Sequence, residues 1–241
     1  MNRKTFLTTS AFGLLGTSLF AKIKSQNNYS KDQLIGKSVP ELHSDQIPLL
    51  KPVAESFIEM QQKAKQEGIT IEIVSAYRSY DRQKGIWNRK FIRNAQKGLT
   101  PKDNINKIIE YSTLPGTSRH HWGTDVDIID GSQSKEGDVL VAEKFHAQGP
   151  YESLKVWMDK NARDYGFIRP YTNNPKRKGF YYEPWHYSYA PISIPMLQDY
   201  LNLDLKNVLV TEGLEGKEAI TSSFLADYID QHVLGIHPDL R

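Results

Sequence analysis

The chain contains no cysteine. That excludes a disulfide framework and a lipid attached to a thiol. Any metal would have to be held by histidine and carboxylates. Long apolar runs are missing too. The uncharged stretch at residues 5–20 is broken by Thr, Ser and Gly, and falls short of the roughly 20 apolar residues of a spanning helix. Charge of one sign is scarce: 31 Lys and Arg stand against 28 Asp and Glu, a net +3. No basic run is interleaved with aromatics, so nothing points to a single-stranded nucleic acid. Internal repeats and low-complexity tracts are absent. What remains, 241 residues with 39% hydrophobic and 24% charged, suits one globular domain with room for an extension.

The first residues carry an address. Arg3 and Lys4 form a short basic region, the uncharged stretch follows, and Ala21 offers a small residue before polar sequence. This order is that of a secretory signal peptide over residues 1–21, with a linker over residues 22–48. It implies export to the periplasm or cell envelope, with membrane contact only if the signal stays uncleaved.

Apolar positions at helical spacing predict a helix over residues 49–67, ended by Gly68. The β-branched alternation of residues 69–74 predicts a strand. Ser79 can cap a helix reaching about residue 96, with Ile86, Trp87, Lys90, Phe91 and Ala95 on it. Another short helix is expected over residues 101–111, then a turn at Pro115-Gly116. Residues 124–129 alternate Asp with Val and Ile, giving a strand with one polar and one apolar face. Residues 130–150 read as a loop, 151–165 as a helix stopped by Gly166, and 181–189 as an aromatic extended run. A helix is expected over residues 194–201. The tail, residues 204–241, reads as a strand-like piece at 207–210 and a helix at 217–233. On that helix Leu225, Tyr228, Ile229 and Val233 form a stripe suited to packing on the domain. Helices in blocks beside few strands give an α+β class rather than a doubly wound parallel sheet.

Two polar clusters sit inside otherwise apolar segments. The first holds His120, His121, Asp125 and Asp127; the second holds Glu183 and His186. Residues two apart on a strand share a face, so Asp125 and Asp127 point the same way. Buried carboxylates need a partner, and a metal is an economical one. Two imidazoles and one carboxylate, with a position left for water, make up a common hydrolytic zinc site. Such a metal lowers the pKa of water and polarises a carbonyl. A nearby group must then move the proton. Glu183 stands three residues before His186, and Pro184 keeps the segment extended. Spacing alone does not choose between His120 and His121, or between Asp125 and Asp127. His146, His232 and His237 have no partners at metal spacing and read as structural or surface residues.

Ser118-x-His120-x-x-Gly123-x-x-x-Asp127, with Glu183-x-Trp185-His186, resembles the zinc D-alanyl-D-alanine carboxypeptidases. These VanY-like enzymes are related to the vancomycin-resistance dipeptidases and to the metal site of Hedgehog signalling domains. Ser75-Ala76-Tyr77-Arg78-Ser79-Tyr80 with Gln83, and Tyr165-Gly166-Phe167, extend the likeness over residues 49–189. The resemblance implies a small, mostly antiparallel sheet carrying a Zn2+ site, with helices packed on it, in a peptidase domain over residues 49–203. It implies His120, Asp127 and His186 as zinc ligands and Glu183 as the catalytic acid and base. It implies Arg78 as the group that steadies the oxyanion or holds substrate, and Gln83 and Ser118 as substrate contacts. The substrate implied is a peptidoglycan stem peptide ending in D-alanine, with no stable protein partner; an L,D-carboxypeptidase, dipeptidase or endopeptidase on the same polymer, or a non-catalytic zinc module that binds the wall, are the alternatives. Physically, the fixed donors of a guanidinium suit Arg78 to that role. Three departures stand out. Asp125 replaces a frequent Ala, Arg119 replaces a frequent Glu, and Trp122 adds an aromatic beside the ligand turn. Asp125 is then expected either to tune a ligand or to bind a substrate amine. Trp122 and Trp185 flank ligands and are candidates to wall the pocket.

Overall fold

The structure is a computed structural model describing residues 29–209 and 212–241. The signal read at residues 1–21 and the first residues of the linker lie outside the described residues. The rest of that segment packs on the domain. Helix α1 (Lys31–Leu34) is capped by Ser30, whose side chain accepts from Gln33 N–H, and Leu34 and Ile35 are fully buried. Gly36 follows at φ 77°, where a Cβ would come within 2.4 Å of His121 Nδ1. Only glycine allows both that backbone and that approach.

Helix α2 (Lys51–Gln66) buries Val53, Phe57, Met60 and Ala64, a stripe at spacings of three and four. Helix α3 (Tyr80–Ala95) starts at the cap Ser79, whose side chain accepts from Arg82 N–H. Helix α4 (Pro101–Ile108) starts at Thr100 in the same way, with proline in its first turn. Helix α5 (Glu152–Asn161) runs into a tight turn ended by Gly166 at φ 78°.

Four strands form one antiparallel sheet: β1 (Ile71–Ser75), β2 (Asp125–Asp130), β3 (Phe167–Ile168) and β4 (His186–Tyr189), in the order β1-β2-β4-β3. The extended run expected over residues 181–189 is a strand only over its last four. Strand β2 lies inside the sheet and all six of its residues are buried. Its expected polar face therefore does not meet solvent. Val126 and Ile128 join an apolar cluster with Phe57, Met60, Trp157 and Phe167. A second cluster unites Trp87, Ile105 and Trp122 with Leu209, Leu225 and Leu240 of the tail. Each such side chain contributes about 1.5–3 kcal/mol when fully buried.

The tail differs from expectation in detail. The strand-like piece at residues 207–210 is, over its described part, within helix α7 (Leu205–Leu209). Leu205 and Leu209, four apart, both face the core. The single helix expected at residues 217–233 begins as a short turn and restarts as helix α8 (Ser222–Tyr228), because the Thr221 side chain caps Phe224 N–H. Helix α6 (Ala190–Leu201) follows directly on β4.

Candidate metal centre

Sheet register assembles the site. Asp127 pairs directly with His186 across β2 and β4, and Asp125 pairs with Ser188 two residues along the same face. On the other side the ladder slips between Ile73 and Ser75, which sets Ser75 opposite Asp127. Just before β2, residues 119–122 form a single tight turn whose end is Gly123 at φ 67°. That turn delivers His120 to the end of the strands.

His120, Asp127 and His186 each offer one donor atom, and the three atoms lie within 4.8 Å of one another. All three residues are buried. His120 Nε2 is 3.2 Å from Asp127 Oδ2, and His186 Nδ1 is 3.3 Å from Asp127 Oδ1. Asp127 Oδ1 is buried without a hydrogen-bond partner among the described residues. Glu183 Oε2 is 3.1 Å from His186 Nδ1. The far nitrogens are spoken for: His120 Nδ1 is 2.8 Å from the Ala76 carbonyl, and His186 Nε2 is 3.0 Å from Asp125 Oδ1.

The geometry separates the neighbouring pairs that spacing left open. His121 is turned away from the cluster. Its Nδ1–H donates to the Arg78 carbonyl at 2.5 Å and its Nε2 accepts from Gly116 N–H at 3.2 Å, and burial holds its pKa down to about 3. It braces the backbone that carries Arg78. Asp125 is fully buried and does not line the cavity. Of the two roles expected for it, its contacts suit the tuning of a ligand: both oxygens are taken up by His186, Arg119, Thr124 and Ser188.

The charge balance fits a cation. Burial raises the Glu183 carboxyl, against the pull of His186. For Asp127 burial is outweighed by His120, and its pKa is lowered. For Asp125 burial is outweighed by Arg119 and His186, and it lies well below the usual carboxylate range. Burial would lower His186, yet hydrogen bonds to Asp125 and Glu183 and the charge of Asp127 push it up to about 10. The carboxylates thus demand positive charge at His186. A divalent ion among His120, Asp127 and His186 would supply it.

These groups open into a cavity of about 490 Å³. Arg78 lines it. Arg78 Nη1 donates to Gln83 Oε1 at 2.9 Å and Nη2 to Ser75 Oγ at 3.0 Å, with Asp127 Oδ2 at 4.0 Å. Its Nε is buried and unpartnered among the described residues. Gln83 is fully buried and does not line the cavity. Its side chain meets Arg78, which it holds while its own amide donates to the Thr113 carbonyl at 2.8 Å. Ser118 lines the cavity with a buried, unpartnered hydroxyl. Trp185 lines it as well, whereas Trp122 does not: its indole N–H donates to the Leu34 carbonyl at 2.9 Å.

Sequence reading missed Tyr171 and Lys90. The Tyr171 ring packs edge-on against His186 at 5.0 Å. Lys90 also lines the cavity, its ammonium donating to Ser112 Oγ at 2.5 Å, and burial lowers its pKa. The signal was there, since Gln83 and Lys90 are seven apart on one face of α3 and a lysine on an inward stripe is unusual.

A buried His–Asp–His donor set, with a carboxyl beside it and a guanidinium across a cleft, is the layout of a metal-dependent hydrolase. The family described as VanY, D-alanyl-D-alanine carboxypeptidase, matches residues 46–192, and the chain belongs to that family. A D-alanyl-D-alanine carboxypeptidase of Enterococcus faecalis (strain ATCC 700802 / V583) is 29% identical over 150 residues, covering 62% of this chain and 51% of that protein. YodJ of Bacillus subtilis (strain 168) is 32% identical over 167 residues, covering 68% of this chain and 55% of that protein. The chain thus spans about half the length of these two relatives. Among solved structures, VanYB in complex with D-alanine-D-alanine has a TM-score of 0.52 and 25% identity, with 73% of this chain and 90% of that chain covered. The vancomycin-resistance D,D-pentapeptidase VanY in complex with Zn(II) has a TM-score of 0.50 and 26% identity, with 71% and 90% covered.

Proposed function

We propose that this protein is a zinc-dependent D,D-carboxypeptidase that removes the terminal D-alanine from peptidoglycan stem peptides. One observation carries the reading: His120, Asp127 and His186 converge with Glu183 and Arg78 at one cavity. We take residues 49–203 as the peptidase unit, with residues 204–241 packed on it. The substrate class puts the site of action in the cell envelope. Among the described residues no helix is long and apolar enough to cross a membrane.

His120, Asp127 and His186 would hold the zinc. When bound, it supplies Lewis acidity, lowering the pKa of water and polarising the scissile carbonyl. Glu183 takes the proton from the attacking water, and its burial suits it to hold that proton until the amine departs. The water oxygen forms the new bond to the carbonyl carbon, the C–N bond breaks, and Glu183 returns the proton to the leaving nitrogen. Arg78, oriented by Gln83 and Ser75, donates to oxygen as its negative charge develops. Tyr171, Phe180 and Trp185 wall the cavity and suit a small side chain such as that of alanine. Lys90 and Arg78 offer cationic donors to the terminal carboxylate.

Purified protein incubated with a stem pentapeptide ending in D-alanyl-D-alanine tests the reading, with products followed by mass spectrometry. Loss of one alanine is expected with zinc, none after chelation, and recovery on adding zinc back. An intact pentapeptide after incubation with the zinc-loaded protein would overturn it. Cleavage of a stem tetrapeptide alone would move the specificity to an L,D bond.

A further inference from the structure

The two metal-site histidines are held from behind by unlike groups. Behind His120 stands a neutral carbonyl, Ala76 O, 2.8 Å from Nδ1. Behind His186 stands a carboxylate, Asp125 Oδ1, 3.0 Å from Nε2. Asp125 is itself fixed. Arg119 Nε donates to Oδ1 at 3.0 Å, Thr124 Oγ1 donates to Oδ2 at 2.7 Å, and Ser188 Oγ donates to Oδ2 at 3.0 Å. Arg119 Nη2 reaches Ser188 Oγ at 2.6 Å, and its guanidinium lies over the Trp122 ring at 4.8 Å. Every member of this group is buried.

Asp125 cannot share a metal with His186. It sits at Nε2, while Asp127 and Glu183 sit at Nδ1 on the opposite edge of the ring. Nor does it line the cavity. Its ordered contacts leave one task, which is to accept the His186 Nε2–H. A neutral ring that donates from Nε2 presents Nδ1 as a lone pair, so once a metal displaces the second proton the ring can bind it only through Nδ1.

We propose that Asp125, locked by Arg119, is a positioning residue that keeps His186 in the Nε2–H form with Nδ1 turned to the metal. The inference rests on the zinc reading above. A carboxylate behind a metal-bound imidazole fixes its orientation and makes it a stronger donor. Arg119 lets that charge persist in the interior, where an unpaired carboxylate would be costly. Both residues stand at positions where the sequence departs from the VanY-like pattern, and the structure joins those two departures into one ion pair.

The test measures zinc affinity by competition with a chromophoric chelator, and the melting temperature of each metal-free protein. Asp125→Ala should weaken zinc binding about 10–100-fold. Asp125→Asn, which keeps an acceptor but not the charge, should fall between it and the parent. Asp125→Ala also strands the buried Arg119, so the double variant Arg119→Met/Asp125→Ala, with both charges gone, keeps the question answerable if the single one fails to fold. It too should bind zinc 10–100-fold more weakly. A merely structural role would lower the metal-free melting temperature and leave the affinity alone. In zinc-loaded parent protein the His186 Nε2–H should give a slowly exchanging imidazole proton signal, lost in the alanine variants. Unchanged affinity and a retained signal in either alanine variant would overturn the inference. A parent protein that binds no zinc would instead overturn the reading of the site, and the inference with it.

Discussion

Two regions meet behind the ligand turn, and they contribute in different ways. Strands β2 and β4 lie inside the part that matches the VanY family and supply Asp127, His186 and, through the turn before β2, His120. Among the described residues, the tail beyond residue 204 supplies no group to the donor set or the cavity. Yet Tyr228 of α8 accepts from Leu114 N–H at 2.9 Å and bonds Thr117 Oγ1 at 2.9 Å. From α6, Tyr200 donates to the Gly116 carbonyl at 2.9 Å. The loop that leads into Ser118 and His120 is pinned from outside the site. The strand pair gathers titratable groups through short contacts with strict spacing, whereas the tail braces the fold through buried surface with loose spacing.

Removing the proton carrier breaks this contrast on the strand-pair side most sharply. Glu183→Gln keeps the shape and most of the packing. Turnover of the pentapeptide should fall about 10²–10⁴-fold, the usual share of a general acid and base. Zinc content and melting temperature should stay near those of the parent. A variant that retains full activity would remove Glu183 from the mechanism. The matching change in the tail is Leu225→Ala. Leu225 is buried in the cluster that holds Trp87 and Trp122, and truncation of such a residue costs about 2–5 kcal/mol. Denaturant unfolding should show that loss, while the folded fraction turns over substrate at close to the parent rate.

Tyr228→Phe sharpens the comparison with a smaller effect. The ring and its stacking on Phe224 and His232 remain. Only the hydroxyl goes, leaving Leu114 N–H without its acceptor at a cost of about 1–3 kcal/mol. If the tail only braces the turn, stability measured by denaturation should fall and KM should hold.

The strand-pair side was legible in sequence because its function demands particular residue types at particular separations. His120 and Asp127 span one turn and a strand entry, and Glu183 and His186 are the two ends of a tight turn that leads into β4. Each separation is local, so the sequence could point to residues that the fold then brings together. Helices α2 and α3 were legible for the same reason, with periodic apolar faces and, for α3, the cap at Ser79. What sequence left open was set by long-range register and side-chain direction. His120 and His121 are neighbours with opposite fates, decided by which ring meets the Arg78 carbonyl and which meets Asp127. Gln83 pointed to substrate as a motif residue, yet folding turns it onto Arg78. Leu34 and Ile35 sit in polar surroundings along the chain and find their apolar partners only in three dimensions. Tyr228 carries no chemical signature at all, because any buried hydroxyl at the right place could do its work.

The smallest effect expected lies in the acid sensitivity of the tail. The His232 ring stacks on Tyr228 at 4.8 Å and meets the edge of Phe180 at 4.9 Å. Burial, with the charge of Arg177, holds its pKa down to about 4, below the ordinary 6.5. Above pH 6.5 the ring is neutral whether the chain is folded or not, and its contribution to stability is fully present. Between 6.5 and about 4 the unfolded chain binds a proton that the folded one refuses, so stability falls as the pH falls. His232→Phe keeps an aromatic ring and removes the titration. Melting temperatures of the two metal-free proteins, compared from pH 7.5 down to 4.5, should diverge in favour of the variant as the pH drops. Parallel curves would mean that His232 opens to solvent before it takes its proton.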